Sequence, residues 1–457
     1  MIKISKVTPK MLGICRVFNN SLIPDEEVLS VLKSGFDDEF FVDSEKDENE
    51  KLLIVDGSEL IYDKYSISYE NESIKIKGSF ASLPAALNEF ISSDLPIKEL
   101  NGSIGKKTIY SKETLMTLLE RVYSDKDRSI FGRQVQGSDV DCISAYINGF
   151  YKSSGKYPGI IGVDLACYGI DVMNRSDVDL SRFICDIVEY CSDGGILTLS
   201  SHFDNPSGNN VNVDRCRGLL GFDESLEAYE KAFCDLITEG TELNTVFMKE
   251  LRLEARFLKM LEENGVPIIW RPLHEMNGGW FWYCVKQWPH ILDAKYIIDL
   301  WKYIYRYLTD EWELKNLIWN YSPNYNNQHS VETTYLYPGD EYCDMVGVDW
   351  YTTGKLELAN DESYLELLKM SGKISALNEN GPSPSILDEN FSSKNTYNCQ
   401  DYYNDLIKLK ELGYSFTYVL HWFGIVLMGD TRDFMHSDIA MGLDEVKKLF
   451  SEIEGAK

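Results

Sequence analysis

The chain has 457 residues, 44% hydrophobic and 26% charged, which are ordinary globular proportions and argue against a chain that is disordered throughout. Its 45 basic against 73 acidic side chains give a net charge of −28. That balance argues against nucleic acid or an anionic membrane as partner, since both need a positive surface, and is compatible with a neutral ligand. Twenty-eight Tyr, 20 Phe and nine Trp are an aromatic excess; most such rings are core, but exposed rings also hold sugars through the C–H face of a pyranose. Ten cysteines, at 15, 142, 167, 185, 191, 216, 234, 284, 343 and 399, form no CxxC pair and no His/Cys metal spacing. They read as reduced thiols, and the sequence calls for no metal and no cofactor. The N-terminal "MIKISKVTPKMLGI" lacks the uninterrupted apolar core of a signal peptide. No run reaches the roughly 18 apolar residues of a membrane span. The expectation is a soluble, cytoplasmic protein.

Length alone suggests two or three domains, or one large barrel with an added module. The first hundred residues carry an acidic loop and a short apolar strand, "FVDSEKDENEKLLIVDG". Next, "KYSISYENESIKIKGS" alternates at period two on both sides of Glu70-Asn71-Glu72-Ser73, which predicts a hairpin. "SLPAALNEFISS" has helical spacing with Pro84 near its first turn. A Pro/Gly/Ser/Lys stretch, "DLPIKELNGSIGKK", reads as a linker. This is a small α+β domain over 1–108.

From 109 to 457, strand-like runs alternate with helical segments. The runs are "SIFGRQ" (129–134), "PGIIGVDLA" (158–166), "GGILTLSSH" (194–202) and "VPIIWRPLHE" (266–275). "NLIWNYSPN" (316–324), "DMVGVDWY" (344–351), "KISALNEN" (373–380) and "FTYVLHWF" (416–423) follow. Between them lie amphipathic stretches such as "NTVFMKELRLEARFLKMLEENG", ending in a capping Gly265. Eight such units predict an α/β fold, a (β/α)8 TIM barrel, with a doubly wound sheet as the alternative. No GxGxxG or Walker sequence opens a helix, which weakens the nucleotide-binding form of that alternative. Most runs begin apolar and finish polar or aromatic, at Gln134, Asp164, His202, Glu275, Asn324, Tyr351, Glu379 and Trp422. Barrel enzymes carry their chemistry at those C-terminal strand ends.

Glu275 closes the fourth run and Glu379 the seventh, so the two carboxyls face each other across the mouth. An opposed pair suits retaining glycoside hydrolysis, in which one protonates the departing oxygen and the other attacks the anomeric carbon. Surface Glu is common, but "VPIIW" before Glu275 is a buried-strand run and aromatics follow it. A carboxyl among aromatics has a raised pKa, as a proton donor needs. Arg271, four positions earlier, falls on the same face of an extended strand; it either holds a nucleophile ionised or pairs with core carboxylates. Asn277 either holds a sugar hydroxyl or shapes the loop.

"WRPLHEMNGGWFWY" (270–283) resembles the signature of glycoside hydrolase family 26, chiefly β-mannanases, over roughly residues 127 to 425. The resemblance implies a retaining (β/α)8 enzyme with Glu275 as acid/base and Glu379, in "ALNENGPSP", as nucleophile. It implies sugar contact or tuning by His274, a third-strand histidine at His202, and Tyr351 bonded to the nucleophile. Trp280 and Trp422 would wall the cleaved sugar. Ser201 stands where a Trp is expected, Arg133 where a His is common, and Asn378 and Asn380 flank the nucleophile unusually. These departures bear on substrate identity. "YSISYENESIKIKGSFASLPAALNEF" resembles the small α/β domain that precedes the barrel in β-hexosaminidases and α-glucuronidases. The resulting expectation is hydrolysis of β-1,4-mannosidic bonds in mannan or mannooligosaccharides, a neutral oligosaccharide or polysaccharide substrate. The alternatives are a β-1,3-xylanase, a mixed-linkage glucanase, or a non-catalytic carbohydrate-binding barrel.

Overall fold

A computed structural model describes residues 14–35, 39–42, 51–70, 73–93, 99–135, 143–166, 169–208, 218–221, 224–352, 360–382, 407–422 and 436–455. Two compact units emerge, Met1–Thr108 with Asn174–Glu189, and Ile109–Met173 with Tyr190–Lys457.

The first unit runs β1 (Ile14–Asn20), α1 (Asp25–Gly35), β2 (Glu39–Val42), β3 (Lys51–Asp56), β4 (Lys64–Glu70), β5 (Ser73–Gly78), α2 (Leu83–Ser92) and β6 (Glu99–Ser103). The strands form one mixed sheet in the order β2-β1-β3-β5-β4-β6. Strands β4 and β5 make the expected hairpin, with Glu70 opposite Ser73; its turn residues 71 and 72 lie outside the described residues. Alternation sends Val17, Leu53, Val55, Ile67, Ile74 and Ile76 to one face, where Val28 and Leu32 of α1 and Leu83 and Phe90 of α2 cover them. The linker reading is corrected over 99–103, which pairs antiparallel with β4, Leu100 opposite Ile67. Leu100 is the one large apolar side chain of that strand, and an edge strand buries too little to show period two.

The second unit runs α3 (Lys112–Asp125), β7 (Ser129–Val135), α4 (Ile143–Ser154), β8 (Ile160–Asp164), α5 (Asp177–Ser192), β9 (Ile196–Ser200), α6 (Leu226–Leu236), α7 (Glu242–Glu263) and β10 (Ile268–Arg271). It continues with β11 (Lys286–Gln287), β12 (His290–Ile291), α8 (Ala294–Arg306), β13 (Leu317–Tyr321), β14 (Met345–Thr352) and α9 (Glu362–Ser371). Last come β15 (Ser375–Pro382), β16 (Tyr418–His421), β17 (Ala440–Met441) and α10 (Leu443–Gly455). Most of α5 is counted with the first unit, where Ser181 Oγ donates to Glu59 O at 2.6 Å. Strands β7, β8, β9, β10, β13, β14, β15 and β16 pair in parallel, and β16 returns to β7 with Tyr418 opposite Ile130. That closure makes an eight-stranded barrel and excludes the open doubly wound sheet. Each expected run overlaps one of these strands.

Which end carries chemistry follows from where the apolar core sits. Ile130, Ile160, Ile196, Ile269, Ile318, Met345 and Ala376 all lie at the beginnings of their strands. They cluster with Leu115 and Leu118 of α3 and Val446 and Phe450 of α10, which seals the N-terminal end. Buried Asp164, Ser200, Arg271 and Glu379 lie toward the C-terminal ends of their strands. No helix among the described residues is long and apolar enough to cross a membrane.

Candidate active site

Glu275 lies four residues beyond the end of β10, in a turn. This corrects the reading of an extended strand through 275 with Arg271 and Glu275 on one face. The chain folds back because Leu273 (φ 50°) and Glu275 (φ 57°) take left-handed backbone conformations. Non-glycine residues there cost on the order of 1–3 kcal/mol and persist only when their surroundings hold them. Here Glu275 N donates to Ser322 O at 2.7 Å and Gly278 N donates to Glu275 O at 2.9 Å.

Glu379 is set by a bulge. Val348 of β14 faces Leu377 of β15, but the next residue, Asp349, faces Glu379, so Asn378 is an extra residue in β15. Its side chain fills the barrel: Nδ2 donates to Ser322 Oγ at 2.8 Å, and Oδ1 accepts from Asn320 Nδ2 at 2.8 Å and from the Tyr418 hydroxyl. Gly347 permits this, because a Cβ there would lie 2.0 Å from Asn378 Nδ2.

One carboxylate oxygen each of Glu275, Asp349 and Glu379 lies within 4.8 Å of the other two. Among the described residues this is the group whose spacing a metal ion could use; Arg271 already supplies a buried cation to it. Arg271 Nη1 donates to Glu379 Oε1 at 3.0 Å and lies 3.7 Å from Asp349 Oδ1, all three side chains being buried. The Tyr351 hydroxyl donates to Glu379 Oε2 at 2.8 Å. Both oxygens of Glu379 therefore carry a donor, which fixes its orientation. Glu275 has a different environment, accepting from the Trp280 indole N–H. Burial first, and then the Glu379 carboxylate, push Glu275 up to about 8 against the opposing effects of Trp280 and Arg271. The same two causes raise Asp349 well above the usual carboxylate range. Burial would lower Arg271, but Glu379 and Asp349 more than offset it, and the guanidinium stays charged.

Beside the carboxylates runs a relay. Asp164 accepts from Ser200 Oγ at 2.9 Å, from Ala166 N at 3.0 Å and from His202 Nδ1 at 2.8 Å. The His202 Nε2 is then the acceptor for His274 Nε2 at 3.1 Å, and Tyr283 donates to His274 Nδ1 at 3.5 Å. Burial, then His202 and Arg271, keep His274 neutral. Trp422 stands near His202, ring centroids 5.7 Å apart.

Of the expected substrate contacts, Trp280, Tyr351, His202 and Trp422 border the two carboxyls or the relay. Arg271, His274 and Asn277, each of which the sequence left with two readings, show no accessible surface, which favours the reading that they support the site from beneath rather than touch sugar. Asn277 ties loops together: Nδ2 donates to Asn324 O and Val331 O at 2.8 Å each, and Oδ1 accepts from Asn324 N at 2.8 Å. Trp282 is core, its N–H on Phe203 O at 2.8 Å. Asp349 was missed, although it stands two residues before Tyr351 and so on the same strand face. Asp164 is legible in the sequence only as one of the C-terminal strand ends, and its partner His202 becomes visible only in three dimensions.

The comparisons agree with this geometry. The pattern of glycosyl hydrolase family 26 matches residues 106–422. A mannan endo-1,4-beta-mannosidase of Bacillus subtilis is 31% identical over 245 residues, which cover 52% of this chain and 63% of that protein. A second protein of that name, from Bifidobacterium adolescentis, is 31% identical over 275 residues, 55% of this chain and 25% of its own length. The chain thus spans less than two thirds of these relatives. Among solved structures, the YdhT protein from Bacillus subtilis has a TM-score of 0.57 at 25% identity, covering 72% of this chain and 92% of that one. A modular endo-beta-1,4-mannanase from Cellulomonas fimi, at 18% identity, shares the fold with a TM-score of 0.58. With a closed barrel, two carboxyls at its C-terminal mouth and a family pattern spanning nearly all of it, the chain belongs to glycosyl hydrolase family 26.

Proposed function

We propose that the protein is a retaining glycoside hydrolase that cleaves β-1,4-mannosidic bonds in mannan or mannooligosaccharides. The observation that carries the reading is the close approach of the Glu275 and Glu379 carboxylates, with oxygens within 4.8 Å. Retaining enzymes hold the pair roughly 5–5.5 Å apart, whereas inverting ones leave about 6.5–9.5 Å for a water. Glu379, oriented by Arg271 and Tyr351, attacks the anomeric carbon and forms a glycosyl ester as the glycosidic C–O bond breaks. Glu275, protonated through neutral pH, gives its proton to the departing oxygen. It then takes a proton from the water that cleaves the ester, which restores both groups. Trp280 orients Glu275 and walls the sugar next to it.

A neutral polysaccharide suits a chain of net charge −28, and the names of the relatives support mannan among β-linked glycans. The test is a panel of defined mannan, xylan and mixed-linkage glucan oligosaccharides with products resolved by length. Cleavage of the mannan series is expected; turnover confined to xylan or glucan would overturn the substrate reading.

A further inference from the structure

We propose that Trp288 is a stacking platform for a pyranose ring of the substrate on the leaving-group side of the cleavage point, one position further out than Trp280. The proposal rests on the reading of Glu275 as proton donor to a β-linked oligosaccharide. Its structural basis is the dipeptide Gly278–Gly279. A Cβ on Gly278 would lie 2.4 Å from the Trp280 ring, and a Cβ on Gly279 would lie 3.0 Å from Trp288 Nε1. Two indoles therefore rest on one short stretch of backbone, and the absence of side chains there is what admits them. Trp280 turns its N–H inward to Glu275. Trp288 stays 54% exposed, a large apolar surface left in water beside a catalytic turn.

The backbone that carries Trp288 is held in place by its neighbours. It follows Gln287, which is fully buried. That amide donates to Trp282 O at 2.8 Å and to Cys284 O, and accepts from Leu219 N at 2.9 Å. Lys286 N donates to Gly278 O at 3.2 Å, and Lys286 Nζ reaches Ser330 O at 3.1 Å. The β11–β12 hairpin that presents the ring is thus tied to the turn bearing Glu275 and to the loop after β13. A ring on a backbone fixed beforehand leaves only its two side-chain torsions to order on binding, and its flat apolar face matches the C–H face of a sugar. Direction follows from the chemistry. Glu275 protonates the oxygen that departs, so the chain beyond that oxygen lies on the side of the Glu275 loop, first at Trp280 and then at Trp288.

The experiment compares kcat/KM of the wild type, Trp288→Ala and Trp288→Phe on mannotriose and mannohexaose. Loss of one stacked ring lowers the hexaose-to-triose ratio of kcat/KM by about three- to tenfold in Trp288→Ala. Trp288→Phe, which keeps a ring, restores most of the ratio. An unchanged ratio in Trp288→Ala, or an equal loss in Trp288→Phe, would overturn the platform. If the wild type cleaves neither oligosaccharide, the parent functional reading has failed and this proposal falls with it.

Discussion

Glu275 and Glu379 are the same residue type in one barrel mouth, and their neighbours separate them. Glu379 accepts from Arg271 and Tyr351, whereas Glu275 has a single indole donor and is raised to about 8. The sign is that of a raised carboxyl: the proton-donating form exists below about 8 and is lost as pH rises through it. We therefore expect kcat/KM to fall above about pH 8 because the donor deprotonates. Glu275→Gln should abolish that limb and reduce kcat by about 10²–10⁴-fold on a substrate with a sugar leaving group. A pH–rate profile of both proteins checks this. The two carboxyls were legible in the sequence because each follows an apolar strand run. Their differing partners were not, since Arg271 and Glu379 come together only when β10 and β15 share a barrel.

At the element scale, two departures from regular strands aim the chemistry: the left-handed turn after β10 and the bulge at Asn378. Neither was legible. The turn is held by Ser322 O and the bulge by Asn320, Ser322 and Tyr418, contributed by β13, the residue just after it, and β16. Local propensity sees an apolar run and continues it. What did show was the strand series itself, because a buried parallel strand needs an unbroken apolar run. The bulge makes a specific prediction. Gly347→Ala puts a methyl 2.0 Å from Asn378 Nδ2, so the variant should lose several degrees of Tm, roughly 1–3 kcal/mol of overpacking. It should also lose activity as Glu379 shifts. Adding Asn378→Ala should lower Tm by less than the sum of the two single changes, because the clash is gone. Thermal unfolding of the three variants decides it.

For the whole molecule, the sealed N-terminal end of the barrel and the polar C-terminal end divide stability from chemistry. Helix α7 is an exception, burying Glu250 and Glu254 on its inner face. Burial pushes Glu250 up to about 8 and Glu254 well above the usual range, each raised further by neighbouring carboxylates. A carboxyl raised in the folded state contributes stability that is intact below the unfolded value of about 4.3 and is lost as pH climbs toward the folded value. Tm should therefore fall between about pH 5 and pH 8, and Glu254→Gln should flatten that fall, as scanning calorimetry across this range would show. The overall architecture was readable because the eight runs and the "HEMNGGW" motif are local signals. Strand β6 was not, for its single Leu100 carries no periodicity. The central claim concerns how the two carboxyls work together, and the stereochemistry of cleavage tests it most directly. Proton NMR of the anomeric signal during hydrolysis of mannohexaose should show the β-anomer first, with the α-anomer arising later by mutarotation. Initial release of the α-anomer would mean inversion and would contradict the account.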